Sequence, residues 1–425
     1  MSSEYIFTEQ FALEQDAKDS LTHFRKRFLF PQHNGKDVIY FCGNSLGLQS
    51  VSTQKYIQQE LDDWAKHGVE AHFSSTNPWV DYHEIFPKPL AKLTGALPEE
   101  VVAMNQLTSN IHFLFVSLYR PTRGRYKILC EAGAFPSDRY AIDSQVKFHG
   151  LNPADAIIEL SPRAGEHTIR PEDVLSAIEK NKNELAVIFI GGVNYYSGQV
   201  FDMKAITEAG QKVGATVGFD LAHAIGNIKL SLHEWNVDFA VWCSYKYLNS
   251  GPGSVGGAYI HERHAKNTSL PRFAGWWGHD KSKRFKMEKD FRAMPTAEGW
   301  QLSNAPVLSM AAHKAALDIF EEAGMDSLVR KSEKLTGYLE FVIYEVNKKR
   351  ENRNWRLEII SPKERGCQLS IIAHGLGKSL HEKLSTNGIM ADWREPNVIR
   401  CAPVPLYNSF EDVFRFGEII LKILG

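Results

Sequence analysis

Lys246, a lysine that follows an apolar run, is the residue in this sequence with the clearest capacity for chemistry. Lys246 comes shortly after residues 239–243, FAVWC, and precedes a glycine-rich stretch, Gly251-Pro252-Gly253. Burial favours the uncharged amine of a lysine, and that amine attacks aldehydes. A lone lysine in a loop is usually solvated, because Lys is seldom buried. Lys246 therefore needs supporting residues nearby before it can be called a nucleophile.

Three further groups stand where earlier apolar runs end. They are the polar helix start Leu107-Thr108-Ser109-Asn110, the aromatic Phe135 with Pro136, Ser137 and Asp138 behind it, and Asp220. A helix start binds anions through its free N–H groups, an aromatic stacks on a flat ring, and a carboxylate pairs with a cationic nitrogen. Each group alone is more often a helix cap or a loop residue.

The combination is more specific than its parts. A phosphate cradle, a stacking aromatic, a counter-ion and an amine are what pyridoxal 5′-phosphate (PLP) requires of a protein. Their order along the chain places them on successive strands. We therefore predict PLP bound to Lys246 as a Schiff base, with Asp220 facing the pyridine nitrogen.

Seven apolar runs must position these residues. They cover residues 101–104, 126–130, 156–160, 185–190, 216–219, 239–243 and 257–260. Most are continuously apolar, which indicates strands covered on both faces in a mostly parallel sheet. Ligands of such sheets bind beyond the carboxyl ends of the strands. The sequence thus predicts an α/β fold.

A change of pattern near residue 305 predicts two domains. Long helices over 307–323 and 325–350 lead into short strands and two more helices, 376–387 and 410–424. A chain of 425 residues exceeds what one core usually fills. We predict an N-terminal arm (1–50), a large PLP-binding α/β domain (51–305) and a smaller C-terminal α/β domain (306–425).

Composition excludes several classes of function. Forty-nine basic and 50 acidic residues give a net charge of −1, so no global field attracts nucleic acid or an anionic membrane. No apolar stretch is long enough to span a bilayer. The five cysteines are scattered and odd in number, which indicates reduced thiols and neither disulfides nor a zinc site. A cytoplasmic location without bound metal is expected.

Several segments resemble kynureninases, the fold-type I PLP enzymes of tryptophan catabolism. The most specific are residues 242–249, WCSYKYLN, and 402–410, APVPLYNSF; residues 41–48, 104–108, 135–142 and 218–227 are also similar. The resemblance implies hydrolysis of L-kynurenine or 3-hydroxy-L-kynurenine to anthranilate or 3-hydroxyanthranilate and L-alanine. It also implies a homodimer with active sites at its interface.

The resemblance suggests a role for individual residues. Lys246 and Tyr245 would be catalytic, and Arg400, His72 and Asn304 would bind the substrate. The cofactor would be bound by Leu107, Thr108, Phe135, Pro136, Ser137, Asp138, Asp220, His223, Tyr245, Lys246, Trp276 and Asn304. Where related enzymes can carry a serine, this chain has Gly191, which raises the question of a missing phosphate-side contact.

Other functions remain open at this point. A cysteine desulfurase or an aminotransferase would share the cofactor, although a desulfurase needs a nucleophilic cysteine on a mobile loop. A non-enzymatic scaffold is disfavoured because Lys246, Asp220 and Arg400 are all present. A dinucleotide-binding dehydrogenase is set aside, because no G-x-G-x-x-G follows the first predicted strand.

Overall fold

A seven-stranded sheet forms the centre of the larger part of the chain in the computed structural model, which describes residues 5–349 and 354–425. The strands, β1 to β7 in chain order, are Val101–Ala103, Lys127–Glu131, Ile157–Leu160, Leu185–Gly191, Thr216–Asp220, Phe239–Trp242 and Gly257–Ile260. Their spatial order is β1-β7-β6-β5-β4-β2-β3. Strand β7 is antiparallel to both neighbours, and the other pairs are parallel. The predicted mostly parallel α/β sheet is confirmed.

Helices flank this sheet and surround the smaller domain. Numbered α1 to α14 in chain order, they are Glu9–Lys18, Thr53–His67, Ala71–Ser74, Pro87–Thr94, Leu107–Leu118, Pro136–Phe148, Pro153–Ala156, Pro171–Lys180, Met203–Lys212, Glu262–Ala265, Val307–Ala323, Met325–Lys349, Lys378–Thr386 and Phe410–Leu424. No helix among the described residues is long and apolar enough to cross a membrane.

The continuous apolar character of the strands has a direct structural cause. Along β4, Val187 and Phe189 belong to one core with helices α5 and α6, whereas Ile188 and Ile190 belong to another with α8 and α9. Successive side chains of a strand point to opposite faces. Both faces of β4 are therefore covered by helices, and every position is apolar.

A four-stranded antiparallel sheet forms the smaller domain. Its strands are β8 (Arg356–Ile359), β9 (Leu369–His374), β10 (Asp392–Arg394) and β11 (Val398–Cys401), in the spatial order β8-β9-β11-β10. Helices α12, α13 and α14 contribute to its apolar core together with these strands. Residue 350, the end of a predicted helix, and residues 1–4 of the predicted arm lie outside the described residues.

The apolar cores divide the chain later than the predicted boundary at residue 306. Helix α11 buries Met310 and Leu317 in the core of the large domain, and Leu328 at the start of α12 does the same. From Leu335 onward, α12 contributes to the core of the small domain. The two cores thus meet within one long helix.

The N-terminal arm connects both domains. Ile39 pairs with Ile389 in a short parallel ladder, and Phe41 is buried in the small-domain core. The neighbouring Tyr40 and Leu48 are buried in the large-domain core. This double anchoring places the loop that carries Ser45 between the two domains.

Candidate active site

A cavity lies at the carboxyl edge of the central sheet, where β1, β2, β4, β5 and β6 end. It is lined by Gln106, Leu107, Thr108, Ser109, Glu131, Phe135, Ser137, Asp138, Gly191, Val193, Tyr195, Asp220, His223, Cys243, Tyr245, Lys246, Gly253 and Ser254. Parallel strands bring their following loops to one edge, so residues far apart in sequence meet here. Nine residues predicted from the sequence are among those lining it.

Lys246 and His223 form the centre of the cavity. The Nζ atom of Lys246 lies 3.0 Å from Nε2 of His223 and 5.7 Å from the centre of the Phe135 ring. Burial, with Lys246 nearby, holds the pKa of His223 well below its ordinary value. The imidazole is therefore neutral, and its Nε2 accepts a hydrogen bond from the Lys246 amine. Its Nδ1 is buried without a partner.

Three carboxyl groups line the part of the cavity beside strands β5 and β2, which we call the acidic end. Asp220 accepts a hydrogen bond from the Ala222 amide at 2.7 Å. Burial and the neighbouring Asp220 raise the pKa of Asp138 well above its usual range. Burial raises the pKa of Glu131 to about 7. This concentration of acidic groups in a buried place favours a cationic ligand.

The start of helix α5 supplies the anion-binding end. Leu107 is the first residue of α5, and Thr108 and Ser109 follow in its first turn, all of them lining the cavity. The backbone N–H groups of a first helical turn have no partner within the helix, and the helix dipole adds positive potential there. Phosphate is the natural ligand of such a helix start.

Tyr245 lines the cavity beside Lys246, with its ring centre 5.9 Å from the Lys246 amine. Burial and the neighbouring Cys243 raise the pKa of the Tyr245 hydroxyl. The hydroxyl therefore stays protonated over the physiological range and acts as a hydrogen-bond donor.

The chemistry of the cavity fits PLP. Three groups that PLP requires lie along this edge of the sheet. They are the anion-binding helix start after β1, the amine after β6 and the carboxylate at the end of β5. Oδ1 of Asp138 and Nδ1 of His223 are buried polar atoms with no hydrogen-bond partner among the residues that the structure describes. Such atoms are costly unless a ligand satisfies them.

Five predicted cofactor or substrate residues do not line this cavity: Pro136, Trp276, Asn304, His72 and Arg400. Pro136 begins helix α6 and orients Ser137 and Asp138 instead. Trp276 is 43% exposed, and its indole N–H donates to the Arg284 carbonyl. Asn304 lies on the surface, and His72 bonds through Nδ1 to the Val69 carbonyl oxygen. Trp276 and Asn304 are thus exposed, and His72 is partly buried outside the cavity.

Arg400 is buried just beyond the cavity wall. It is 1% exposed, and its guanidinium donates to the carbonyl of Tyr195 at 2.8 Å. Tyr195 lines the cavity, so Arg400 stands directly behind it. The Asp392 carboxylate also lies within 2.7 Å of the guanidinium. Within this structure the arginine thus contacts an internal carboxylate.

Gly191 lies at the acidic end of the cavity, not beside the phosphate cradle. It pairs in register with Asp220. A Cβ atom at position 191 would approach Oε1 of Glu131 to 2.8 Å. Glu131 also accepts hydrogen bonds from the Gly191 amide and the Asn194 side chain. A side chain at position 191 would therefore contact Glu131 and not a bound phosphate. Ser197, a nearby hydroxyl that could have replaced a serine at position 191, bonds to Asn194 and does not line the cavity.

Two residues that line the cavity, Glu131 and Tyr195, were not predicted from the sequence. Glu131 ends β2, and Tyr195 comes four positions after the end of β4. The rule that identified Asp220 and Lys246, that residues after strands bind ligands, would also have indicated both.

Three side chains that could together bind a metal ion lie outside the cavity: Glu100, His233 and His261. Their atoms are already used in local hydrogen bonds. Glu100 accepts from the amides of Leu97 and Glu262, and Nδ1 of His261 accepts from the amide of Arg263. These bonds cap short helical segments and account for the cluster structurally.

Solved structures share the fold. An apo cysteine desulfurase from Thermococcus onnurineus matches with a TM-score of 0.74 and 17% identity over 100% of this chain and 99% of that chain. A C-DES mutant with glycine covalently linked to the PLP cofactor matches with a TM-score of 0.76 and 15% identity over 90% and 96%. At this identity the likeness concerns the fold, and the predicted fold-type I architecture is confirmed.

Sequence relatives are much more similar. Kynureninases from Flavobacterium johnsoniae and Flavobacterium psychrophilum are 57% and 56% identical over 98% of this chain, covering 99% and 98% of the relatives. A kynureninase from Nematostella vectensis is 48% identical over 99% of this chain and 94% of its own length. The model of the kynureninase C-terminal domain matches residues 328–420. This chain therefore belongs to the kynureninase family.

Proposed function

We propose that this enzyme hydrolyses L-kynurenine, or its 3-hydroxy form, to anthranilate or 3-hydroxyanthranilate and L-alanine, with PLP held on Lys246. The observation that carries the proposal is the buried contact between Lys246 and the neutral His223 in a cavity that also holds Asp220. Family membership supports the hydrolase class.

The cofactor would be held at three places. Thr108 and the start of α5 would bind the phosphate, Phe135 would face the ring, and Asp220 with Asp138 would face the pyridine nitrogen. When bound, PLP withdraws electrons from the carbon atoms of an amino-acid substrate. A carboxylate at Asp220 keeps the ring nitrogen protonated, which strengthens that withdrawal.

Lys246 has the second task of moving protons. Its amine, once free, accepts and returns a proton at the substrate Cα, and the 3.0 Å contact with His223 fixes its position. His223 performs this orienting role because a neutral ring can accept from the amine without repelling it. The Tyr245 hydroxyl, held protonated, donates to oxygen that gains charge at the substrate carbonyl.

The overall reaction adds one water across a carbon–carbon bond. The hydroxyl oxygen of water ends on the carboxyl carbon of the anthranilate, and a proton ends on the methyl carbon of alanine. No oxidant or reductant is required.

We also propose a homodimer that completes the site. Phe73, Phe285 and Trp276 are 60%, 57% and 43% exposed, and their rings form one surface chain with centroid separations of 6.3 and 5.4 Å. An exposed aromatic patch of this kind is typical of a protein interface. His72 and Trp276 belong to this region, so a second subunit would bring them to its partner's cavity.

A desulfurase activity is less well supported. The cysteines are all free, and all but Cys42 are buried. Burial raises the pKa of Cys42 to about 12 and the pKa of Cys243 above its ordinary value. A nucleophilic thiolate is thus disfavoured at both positions. The five free thiols also support our proposal of a reducing, cytoplasmic compartment.

The test is a product assay on the purified, PLP-loaded enzyme. We expect fluorescent anthranilate and an equal amount of L-alanine from L-kynurenine, with 3-hydroxy-L-kynurenine assayed in parallel. A PLP-loaded enzyme that releases neither anthranilate nor 3-hydroxyanthranilate would refute the hydrolase proposal. L-Cysteine serves as the comparison substrate, and sulfide release would favour a desulfurase.

A further inference from the structure

Two arginines share one carboxylate behind the cavity wall. Asp392 on β10 stands directly opposite Arg400 on β11 in the antiparallel register. Its Oδ2 atom lies 2.7 Å from Nη2 of Arg400 and 3.0 Å from Nη2 of Arg394. The hydroxyl of Ser45 also donates to this oxygen.

The cluster carries an excess positive charge. Burial alone would raise the pKa of Asp392, but Arg400, Ser45 and Arg394 together hold it below the ordinary value, so the carboxylate is charged. Among the described residues, Asp392 is the one carboxylate in contact with either arginine. Two guanidinium groups against one carboxylate leave one positive charge without a counter-ion.

This charge lies next to the cavity. Arg400 donates to the Tyr195 carbonyl, and the Arg394 guanidinium lies 6.0 Å from the centre of the Tyr195 ring. The Tyr195 ring is in turn 5.4 Å from the ring of Phe135. Arg400 thus contacts the backbone of a residue that lines the cavity, and Arg394 lies beside the aromatic ring of the same residue.

The two arginines differ in what they still offer. Arg400 is fully buried and already contacts Tyr195, Ser45 and Asp392. Arg394 is 32% exposed, and within residues 5–349 and 354–425 its one hydrogen-bond partner is Asp392. A guanidinium has five donors. Arg394 therefore keeps the larger part of its donor set free. The Nε atoms of both residues are buried without a partner.

We propose that Arg394 is a second substrate-binding arginine, which together with Arg400 binds the α-carboxylate of an amino-acid substrate, while Asp392 positions both guanidinium groups. The inference rests on the proposed function for the identity of the substrate. A carboxylate ligand supplies the missing negative charge and accepts from the free donors of Arg394. Charge-assisted bonds of this type are the strongest hydrogen bonds in proteins.

The test compares Arg394→Ala with Arg394→Lys in the PLP-loaded enzyme. L-Alanine is titrated by the change in visible absorbance, which reports binding without turnover of kynurenine. We expect Arg394→Ala to weaken alanine binding and raise the KM for kynurenine about tenfold or more, with kcat changed less than about threefold. Arg394→Lys keeps the positive charge but loses the planar set of guanidinium donors. Its alanine affinity and its KM should therefore lie between those of wild type and Arg394→Ala.

Two controls make the test specific. Arg356→Ala removes an exposed arginine from the same domain and should leave alanine binding unchanged. Kynurenamine, which lacks the α-carboxylate, should bind wild type and Arg394→Ala equally well. An equal loss for kynurenamine and alanine, or no loss for alanine, would overturn the proposal. If alanine binding falls although no variant releases anthranilate, the arginine role stands and the kynurenine hydrolysis fails.

Discussion

The amine of Lys246 lies 3.0 Å from Nε2 of His223, a histidine that burial keeps neutral. This contact relates the predicted nucleophile to a residue on the preceding strand-end loop. It fixes the amine between the Phe135 ring and the acidic end of the cavity.

The role of His223 as a hydrogen-bond acceptor predicts a difference between two substitutions. A glutamine can still accept from Lys246, whereas an alanine cannot. We expect His223→Ala to lower kcat about 100-fold and His223→Gln to lower it about tenfold or less. Steady-state anthranilate release measures both. Equal losses for the two variants would show that acceptance by His223 is unimportant, and the exposed His23→Ala serves as the control.

Asp220 should support cofactor binding through its negative charge. Asp220→Asn keeps the shape but loses the counter-ion of a protonated pyridine nitrogen. We expect PLP affinity to fall about tenfold and kcat about 100-fold, because both need that proton. PLP titration by absorbance and anthranilate release give the two values. Asp155→Asn, an exposed residue beside edge strand β3, is the control, and unchanged PLP affinity in Asp220→Asn would contradict the assignment.

The raised pKa of Glu131 predicts that the stability of the protein freed of PLP depends on pH. Burial raises its pKa from 4.5 to about 7, so the folded state binds this proton more tightly than the unfolded state. Its stabilising contribution is complete below pH 4.5 and is lost as the pH rises through about 7. The loss is on the order of 3 kcal/mol.

Glu131→Gln has no proton to lose. Denaturant unfolding at several pH values should therefore show the variant gaining stability relative to wild type between about pH 4.5 and 7. Titrating groups far from Glu131 are common to both proteins and cancel in the difference, and an Asp138→Asn background removes the neighbouring carboxyl whose pKa Glu131 raises. A stability difference that does not vary with pH over this range would contradict the raised pKa.

The aromatic surface patch predicts a subunit interface. Phe285→Glu places a charge among Phe73 and Trp276 and should disrupt the dimer. Sedimentation velocity should show a monomer, and activity should fall because His72 and Trp276 no longer reach a partner. Phe148→Glu changes a side chain that is 76% exposed and serves as the matched control. A Phe285→Glu protein that remains dimeric would place the interface elsewhere.

Much of the fold follows from patterns within short segments. Each of the seven predicted strands coincides with a strand of the sheet to within one residue at either end. Strands buried on two faces must be continuously apolar, so the signal is strong. The two-core division of helix α12 was not predictable in this way, because an apolar stripe does not reveal which core it contacts.

The site was predictable where it depends on strand ends. Asp220, Lys246 and Thr108 follow from strand order alone. The pairing of Asp392 with both Arg394 and Arg400 depends on antiparallel register in the small domain and on the position of the Ser45 loop between domains. Under the dimer proposal, His72, Trp276 and Asn304 would act in the cavity of a second subunit. Such relations are set by tertiary and quaternary packing, which a single sequence does not display.

The most direct test of the account is to locate the cofactor on the chain. The PLP-loaded enzyme is reduced with borohydride, digested and sequenced by mass spectrometry. We predict one pyridoxyl adduct per chain, on Lys246. The Lys246→Ala variant should carry no adduct and should release no anthranilate. An adduct on another lysine, or full activity of Lys246→Ala, would contradict the central claim.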